Sequence, residues 1–383
     1  MSKVSKKNCF SCGLCGNVCP NGALQLSYSE ATGVYYPCIN EKICVDCGMC
    51  EKICIKTDYC KKKINRDNII GDYKKICLMS ATNLDVRKAA TSGGVLNRFV
   101  KYLIQADVVQ AVLMVCQVHR TKTDTGYTVI TKQNVGMLDK NPRKFSSRYC
   151  LVPLLVGLKK IESYNSVAVV GTPCQLFGVT KWEHLKNKKI IKIGIACSQG
   201  ISYKATEYML RKRGADCNEL FYRGNGWPGK STIISKMKTD NQEHLSSLFN
   251  VCYTSQLFRN EACNACSDQL NRCSDISFFD YWNEEELRRE HIGKSGVIIR
   301  SSETERYIMK MEEEGEIICN KILNEYEVIQ SQSWAIKFKV DEKSLLMRLY
   351  LKFVRFERKI GIYKLFGKKF FGLHIKLFDY LLK

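Results

Sequence analysis

The sequence lacks the features that mark several classes of protein. It opens "MSKVSKKNCF", without an apolar signal segment, and it has no run of about eighteen apolar residues that could form a transmembrane helix. Its five histidines are scattered without metal-binding spacing. It also lacks the basic aromatic motif of a nucleic-acid-binding module and the C-x3-C-x2-C motif of radical enzymes. These absences favour a cytoplasmic protein whose chemistry depends on other side chains.

Cysteine is the reactive residue that the sequence has in abundance. The 383-residue chain contains 21 cysteines, an odd number. At this density in a chain made in the cytosol, thiols are more often metal ligands than disulfides. Apolar residues make up 45% of the chain, which is enough for a substantial core in one large domain with appendages or in two to three domains.

The first 62 residues contain a repeat of four cysteines. The segments "CFSCGLCGNVCP" and "CVDCGMCEKICI" both have the spacing C-x2-C-x2-C-x3-C, and each cysteine of the second copy lies 35 residues beyond its counterpart. This is the spacing of bacterial two-cluster ferredoxins, in which the fourth cysteine of each copy ligates the other cluster. Residues 1–62 are therefore predicted to form a dicluster [4Fe–4S] domain; the alternative is zinc binding.

The repeat predicts the ligands of both clusters. One cluster would be held by Cys9, Cys12, Cys15 and Cys54, and the other by Cys44, Cys47, Cys50 and Cys19. In the second copy Ile55 replaces the usual proline, which moves no ligand. Between the copies, "LQLSYSEATGVYY" alternates as a short hairpin does, with Gly33 near the turn. Three further thiols fit no metal spacing, namely Cys38, Cys60 and Cys77.

From about residue 78 strands and helices alternate, which predicts a larger α/β domain over residues 78–335. "SGGVLNRFVKYLIQA" has the apolar spacing of an amphipathic helix, with Ser92 as its N-cap. "VVQAVLMVC", "SVAVVGTPCQ" and "KIIKIGIACSQG" predict buried strands, the second running into a turn, and "SYKATEYMLRKRG" predicts a helix. The expected fold is a largely parallel sheet with ligands gathered at the strand ends.

One segment matches the phosphate-loop pattern without its context. "GNGWPGKS", residues 224–231, has the required Gly, Lys and Ser. A phosphate loop needs a helix after it, however, whereas "STIISKMK" is β-branched and alternating. Pro228 also removes one backbone donor from the cradle. We therefore predict a turn between two strands.

Seven motifs in order resemble a known family. "TSGG", "SSRYC", "VAVVGTPCQ", "IACSQG", "RGNGWPG", "CNAC" and "SDISFFDYW" look like the successive motifs of the coenzyme F-420 hydrogenase/dehydrogenase beta-subunit family, over about residues 78 to 290. The resemblance implies a mixed α/β flavoprotein behind a ferredoxin module. Members bind FAD and move electrons between a two-electron carrier, often a deazaflavin, and one-electron clusters.

The resemblance also implies candidate site residues. For FAD or substrate they are Ser92, Gly93, Gly94, Arg148, Tyr149, Thr172, Gln175, Arg223, Asp280 and Trp282. A helix N-terminus behind Ser92 would suit the FAD pyrophosphate, although an ordinary capped helix start has the same pattern. The other candidates could equally be surface pairs, caps or core residues.

The resemblance implies a third [4Fe–4S] cluster on Cys174, Cys197, Cys263 and Cys266, with Cys273 as a substitute ligand. Each of these thiols alone could be a small buried core residue. The chain departs from its relatives where they have His-Gly, because it has Ser198 and Gln199, so a proton-transfer role for that histidine is absent. Phe279 replaces a glycine, and we expect it to narrow the pocket, so the electron partner need not be a deazaflavin.

The last segment, residues 336–383, is predicted to be a basic amphipathic helical tail. From residue 343 onward it has eleven Lys or Arg against Glu357 and Asp379, interleaved with aromatic residues. Such a helix can lie on an anionic membrane surface or dock a partner protein. The alternative is a terminal helix that packs on the core and turns a solvated basic face outward.

The formal net charge of +22 raises the alternative of a structural iron–sulfur protein that binds nucleic acid. The Lys and Arg residues are dispersed, however, and each cluster held by four thiolates adds about −2 that formal counting omits. The remaining excess could attract an acidic protein, a nucleotide-like cofactor or an anionic membrane surface. We expect no nucleic-acid partner.

The sequence thus predicts an iron–sulfur flavoprotein oxidoreductase with FAD, two [4Fe–4S] clusters and a third. Its expected partners are a redox protein or a soluble carrier such as ferredoxin, a deazaflavin or nicotinamide. The alternative is a non-enzymatic electron-transfer adaptor that keeps the clusters but has lost flavin and substrate. The expected location is the cytoplasm, or the cytoplasmic face of a membrane.

Overall fold

The structure is a computed structural model of the chain. It describes residues 4, 6–60, 64–118, 125–145, 147–213, 217–224, 226–229, 231–235, 242–244, 246–341, 343–365 and 368–382.

The N-terminal module is built from two cysteine turns around a hairpin. Its elements are α1 (Leu14–Asn17), β1 (Leu24–Ser29), β2 (Val34–Ile39), α2 (Met49–Lys52) and α3 (Ile55–Tyr59). The helices α1 and α2 each begin after a glycine in the left-handed region, Gly13 at φ 81° and Gly48 at φ 70°, a conformation that favours glycine. Strands β1 and β2 pair antiparallel, which confirms the predicted hairpin.

The larger part of the chain alternates strands with helices, as predicted. In chain order its strands are β3 (Lys75–Ala81), β4 (Ala111–Gln117), β5 (Thr125–Ile130), β6 (Val167–Gly171), β7 (Ile190–Ile195), β8 (Cys217–Phe221), β9 (Thr232–Ser235), β10 (Gln242–His244), β11 (Ile276–Asp280), β12 (Ser295–Ile299) and β13 (Ile317–Ile322). Its helices are α4 (Leu84–Ala89), α5 (Val95–Gln105), α6 (Met137–Lys140), α7 (Leu154–Leu158), α8 (Pro173–Lys186), α9 (Lys204–Arg213), α10 (Ser246–Thr254), α11 (Glu284–Arg289), α12 (Ser302–Glu313), α13 (Glu325–Ser331), α14 (Ser333–Val340), α15 (Leu345–Ile360) and α16 (Lys368–Leu382).

Eight strands form one mixed sheet in the order β13-β3-β12-β11-β7-β6-β4-β5. Its centre is parallel, because β4, β6, β7 and β11 pair in parallel. The outer pairings are antiparallel. The prediction of a largely parallel sheet is therefore right for the centre and wrong for the flanks. Most residues of the central strands are buried and apolar, as expected where helices cover both faces, although β7 contains the partly buried Lys192. The carboxyl ends of β6, β7 and β11 meet at one edge.

Helices pack on both faces of this sheet. On one face α5 buries Val95, Phe99 and Leu103 against the strands, and the rings of Phe99 and Phe278 lie 6.1 Å apart. On the other face α7 and α8 bury Leu154 and Trp182 in a cluster that also includes Phe10, Leu14 and Ile55 of the N-terminal module. The N-terminal module is thus packed on α8, at the side of the sheet where Cys174 lies.

One predicted helix start and one predicted turn need correction. The N-cap of α5 is Gly94, at φ 74°, rather than Ser92; the Ser92 hydroxyl instead lies 2.9 Å from Ser295 Oγ. The segment after β6 is not an open turn, because α8 begins at once with Thr172 as N-cap and Gln175 completing a capping box. Cys174 therefore lies in the first turn of a helix.

The segment that matches the phosphate-loop pattern links two antiparallel strands. It lies between β8 and β9, and no helix begins there in the described residues. Asn225 and Lys230 lie outside the described residues. The interpretation as a turn between strands is confirmed, because a phosphate cradle needs the N-terminus of a helix.

The tail is helical and packs on the body of the protein. Tyr363 lies 4.9 Å from Phe258, and Phe371 lies 5.1 Å from Tyr208, between ring centroids. Helix α14 spans the predicted boundary at residue 336, and the division into three segments stays a prediction. None of the helices in the described residues is long and apolar enough to span a bilayer.

Replacing Gly93 with alanine should destabilise the fold. An added Cβ would lie 2.5 Å from Ser295 N and 2.7 Å from Met79 O, and these backbone atoms can move only with the strands. We expect a loss of about 1–3 kcal/mol of unfolding free energy, measured by chemical denaturation. Gly372→Ala is the control, because its Cβ would enter open space and should stabilise α16 by up to about 1 kcal/mol. Equal effects would contradict the close packing at Gly93.

Candidate metal centres and redox site

The first predicted set of cysteines lines one cavity. Cys9, Cys12, Cys15 and Cys54 surround it together with Phe10 and other apolar side chains. Burial raises the pKa of the Cys12 thiol to about 12, and the charges of Cys9 and Cys54 act in the same direction. The structure therefore brings the fourth cysteine of the second copy to the first three of the first copy.

The second set lines another cavity in the same crossed arrangement. Cys19, Cys44, Cys47 and Cys50 surround it with Pro20 and Gly48. No group of three or more Cys, His, Asp or Glu among the described residues is arranged as a site for a single metal ion. The assignment of these eight thiols as cluster ligands stays a prediction, but their grouping in two fours is a feature of the fold.

Four further thiols converge at the carboxyl edge of the sheet. Cys174 follows β6, Cys197 follows β7, and Cys263 and Cys266 lie in the segment before β11. Burial raises the pKa of Cys174 and of Cys197, the latter to about 12, and in each case Cys263 and Cys266 are among the charges acting on it. The Gly200 N–H donates to Cys263 Sγ at 3.2 Å. Distant parts of the chain thus share one buried space.

Two buried cations lie against these thiols. The Lys339 ammonium donates to Cys266 Sγ at 3.3 Å, to the Asp268 carbonyl at 2.6 Å and to the Cys197 carbonyl. The Arg259 guanidinium donates to the Cys263 carbonyl at 3.2 Å. Their exposed fractions are only 6% and 3%, and a buried cation is costly without a nearby negative charge.

A [4Fe–4S] cluster fits this environment. Held by four thiolates, it carries about −2, which complements the two cations in sign and size. No described atom accepts a hydrogen bond from Arg259 Nε, although that nitrogen is buried. The four thiols, the two cations and this unpaired donor together match the chemistry of a cluster site.

Gln199 holds Arg259 in this position. Its side-chain oxygen accepts from Arg259 Nη1, and its amide donates to the Tyr253 carbonyl. Gln199 thus supplies a neutral side chain that helps to hold a cation beside the thiols.

Tyr59 connects this thiol group with the N-terminal module. Its hydroxyl lies 3.4 Å from Cys266 Sγ, and its ring packs on Phe10 and Phe177 at 5.5 and 5.1 Å between centroids. Tyr59 ends α3, which begins directly after Cys54. This one short helix therefore spans from the first cysteine cavity to the thiols at the sheet edge.

A second cluster of predicted residues lies around Arg223. Its guanidinium forms an ion pair with Asp280 and donates to the Thr91 and Pro228 carbonyls at 3.0 Å each. It also lies 5.2 Å from the Trp282 ring. Trp282 stacks on Trp227 with 4.8 Å between centroids, and 42% of its surface is exposed. The exposed indole of Trp282 can stack on a planar aromatic ring, whereas the charge of the buried Arg223 is already balanced by Asp280.

Tyr149 lies between the two groups. Its ring contacts Tyr222, Phe249 and Tyr253 at 5.0 to 5.5 Å between centroids. Burial raises the pKa of Tyr149, Arg223 opposes that shift, and Cys197 adds to it. Tyr149 therefore lies near both Arg223 and the Cys197 thiol.

The remaining candidates have local structural partners. Ser92 and Gly93 bond Ser295 Oγ, so these atoms are not open donors for a pyrophosphate. Arg148 donates to the Leu220 carbonyl at 2.9 Å, and Thr172 and Gln175 cap α8. Two of the donors in the Ser92–Gly94 loop are therefore engaged, and the assignment of the loop to a FAD pyrophosphate stays a prediction.

Phe279 is also placed differently from the expectation. It is 4% exposed and lies opposite Gly296 in the β11–β12 pairing. A Cβ at Gly296 would overlap its ring. Phe279 thus fills the core over a glycine of the neighbouring strand, and the idea that it narrows the pocket is wrong.

A larger cleft lies at the opposite edge of the sheet. It has a volume of about 490 Å³ and is lined by Val109, Ser166 and Lys189, which lie at the amino-terminal ends of the strands. None of the predicted site residues lines it. The chemistry-bearing side chains therefore gather at the carboxyl edge, where α/β sheets bind ligands.

Sequence reasoning missed Lys339, Arg259 and Tyr59. A signal existed for Lys339, since it lies three and four residues after Ile336 and Ala335, which are on the buried face of α14. A lysine on an apolar helical face needs a partner. Nothing in the local sequence distinguishes Tyr59 from a core tyrosine.

Comparisons with known proteins agree with the resemblance. Residues 164–325 match the family described as the C terminus of the coenzyme F420 hydrogenase/dehydrogenase beta subunit, and residues 8–57 match a 4Fe-4S dicluster domain. The coenzyme F420-dependent sulfite reductase of Methanocaldococcus jannaschii is 26% identical over 291 residues, which cover 70% of this chain and 41% of that protein. The chain therefore spans about two fifths of the length of this relative.

A solved structure shows the same fold. It is a chain of the F420-reducing [NiFe] hydrogenase complex from Methanosarcina barkeri, with a TM-score of 0.52 and 16% identity. The match covers 72% of this chain and 92% of that chain. At this identity the similarity supports the fold alone.

Breaking the ion pair at Arg223 should be costly. Asp280→Asn removes the charge that compensates a guanidinium whose side chain is 9% exposed, and we expect a loss of about 3 kcal/mol of unfolding free energy. The control is Glu285→Gln, because the Glu285–Arg289 pair is mostly exposed and should change stability by less than about 0.5 kcal/mol. Denaturation curves at neutral pH measure both, and matching losses would refute a buried role for the Arg223 pair.

Proposed function

We propose that the chain passes electrons between a two-electron carrier, through FAD, and three [4Fe–4S] clusters, because its C-terminal part matches the coenzyme F420 hydrogenase/dehydrogenase beta-subunit family and its N-terminal part a 4Fe–4S dicluster domain. It is an iron–sulfur protein related to F420-dependent oxidoreductases. The finer parts of the proposal are the flavin, the third cluster and the ligand assignments.

The observation that carries the proposal is the meeting of four thiols with two buried cations. Cys174, Cys197, Cys263 and Cys266 would hold the third cluster. Lys339 and Arg259 would balance the charge of that cluster. The thiols lie near Tyr149, which in turn lies near Arg223, and Arg223 lies beside the ring of Trp282. The dicluster module would be the outer part of the relay, with Cys9, Cys12, Cys15 and Cys54 as the nearer ligand set.

The exposed face of Trp282 supports an aromatic partner. Its indole would stack on a planar ring, and the buried Arg223–Asp280 pair would hold Trp227 and Trp282 in place. A flavin would supply the conversion between a hydride equivalent and single electrons, because a cluster accepts one electron at a time. The two-electron carrier is proposed to be a deazaflavin such as coenzyme F420 or a nicotinamide, and the one-electron partner a ferredoxin or a partner redox subunit. The proposed location is the cytoplasm.

A second candidate is the electron-transfer adaptor without flavin. It is favoured by the Ser92–Gly94 loop, in which the Ser92 hydroxyl and the Gly93 N–H are engaged with Ser295. The two candidates share the clusters and differ in flavin content. Iron, sulfide and flavin analysis after anaerobic purification therefore tests them together.

For the flavin-containing enzyme we expect about twelve irons and about one FAD per chain. Cys266→Ser should lower the iron content by about one third and leave the spectrum of the dicluster module intact. Cys38→Ser is the control, since Cys38 is exposed and outside every predicted ligand set, and it should lose no iron. About eight irons in the wild type, unchanged by Cys266→Ser, would eliminate the third cluster. Loss of flavin alone would favour the adaptor.

Lys339 should raise the reduction potential of the third cluster. Reduction adds a negative charge, which a neighbouring cation stabilises, so Lys339→Met should lower the potential. The expected shift is on the order of 60 mV, the one-electron equivalent of about 1.4 kcal/mol. Spectroscopically monitored redox titration would measure it. Lys337→Met is the control, because Lys337 lies on the same helix but is exposed; an equal shift there would contradict a local role for Lys339.

A further inference from the structure

Helix α15 exposes an apolar stripe along its whole length. Leu345, Leu346, Leu349, Phe353, Phe356 and Ile360 each have 50 to 70% of their surface exposed. At about 100° per residue, these positions lie within one arc of about 100°. Single exposed apolar residues are ordinary, whereas a contiguous stripe marks an interaction surface.

The fold does not need this stripe for its own core. The opposite side of α15 already packs on the protein through Met347, Tyr350 and Val354, each less than 6% exposed. Helix α15 is therefore apolar on two sides, one covered by the protein and one left open. The sequence also allowed a terminal helix that packs on the core and turns a solvated basic face outward. That alternative explains the covered side of α15 but not the exposed apolar side.

Basic residues border the stripe on one side. Arg348, Lys352, Arg355 and Lys359 lie within an arc of about 60° that adjoins the apolar arc. The acidic residue of α15, Glu357, is 4% exposed and faces His374. Among the described residues of α15, the exposed charges are therefore all positive.

Helix α16 extends this surface. Phe353 stacks on His374 of α16 with 6.4 Å between ring centroids, so the two helices adjoin at the stripe. Leu373, Leu377 and Tyr380 of α16 are 65%, 41% and 72% exposed. Lys376 is exposed on the same helix.

We propose that α15 is a peripheral membrane-docking helix that inserts this stripe into the interface of an anionic bilayer. A bulky apolar face bordered by Lys and Arg is the pattern of helices that lie in the plane of a membrane. Lysines beside the apolar side chains attract anionic headgroups, whereas protein interfaces are depleted of lysine. The proposal is independent of the redox chemistry, and it places the electron-transfer domain against a lipid surface.

Vesicle co-sedimentation of the full chain, purified with its clusters, tests the proposal. The probes are vesicles of phosphatidylcholine alone and of phosphatidylcholine mixed with phosphatidylserine. We expect at least tenfold stronger binding to the mixed vesicles, and weakening as salt rises, because salt screens exposed charges. Equal binding to both kinds of vesicle, or none, would overturn the proposal.

Variants separate the apolar and basic contributions. Leu349→Ser combined with Phe356→Ser should abolish binding, and Lys352→Glu combined with Lys359→Glu should reduce it at least tenfold. Because these side chains are exposed, the melting temperature and the cluster spectrum should stay unchanged. The controls are Met309→Ser and Lys310→Glu, because these residues are exposed on a different helix, α12. Both variants should bind vesicles as the wild type does.

One further outcome would overturn the proposal in favour of a protein contact. In that outcome the wild type is a dimer by light scattering and does not bind mixed vesicles, and Leu349→Ser combined with Phe356→Ser makes it a monomer. The stripe would then join two copies of the chain. A monomeric wild type that binds mixed vesicles through α15 supports membrane docking.

Discussion

Charge balance in one buried space is the constraint on which the rest of the structure depends. Lys339 and Arg259 are almost fully buried, and the groups around them are thiols, carbonyls and amides, with the Asp268 carboxylate as the one acidic side chain acting on Lys339. Such cations would destabilise the fold unless a comparable negative charge lay beside them. A cluster on the four neighbouring thiols would add that charge to the one on Asp268. The same residues that make the site costly without a cluster would make it stable and redox-active with one.

The sheet topology brings the residues of the proposed electron relay together. Parallel β6, β7 and β11 deliver Cys174, Cys197 and Asp280 to the same edge. The N-terminal module packs on α8 at that edge, where a Cβ at Gly178 would lie only 3.3 Å from Leu14. Tyr59 then contacts Cys266. The dicluster module and the proposed third cluster are thus joined by packing as well as by sequence.

Much of this arrangement follows from sequence, and the remainder has physical reasons for being missed. The cysteine repeat, the hairpin and α5 are encoded in short-range spacing. Ser92 is misread as an N-cap because Gly94, two residues later, takes a left-handed conformation and moves the helix start. The antiparallel flanks depend on long-range pairing, as with β13 beside β3. Lys339 meets Cys266 across 73 residues, a contact that no local pattern specifies.

The central claim is that a two-electron centre shares this chain with three one-electron clusters. The most direct test is an anaerobic reductive titration that counts the electrons taken up per chain. The account predicts about five electrons, one for each cluster and two for the flavin, with the flavin and cluster spectra changing together. An uptake of about two electrons, with no flavin spectrum, would contradict it, because that result leaves only the dicluster module.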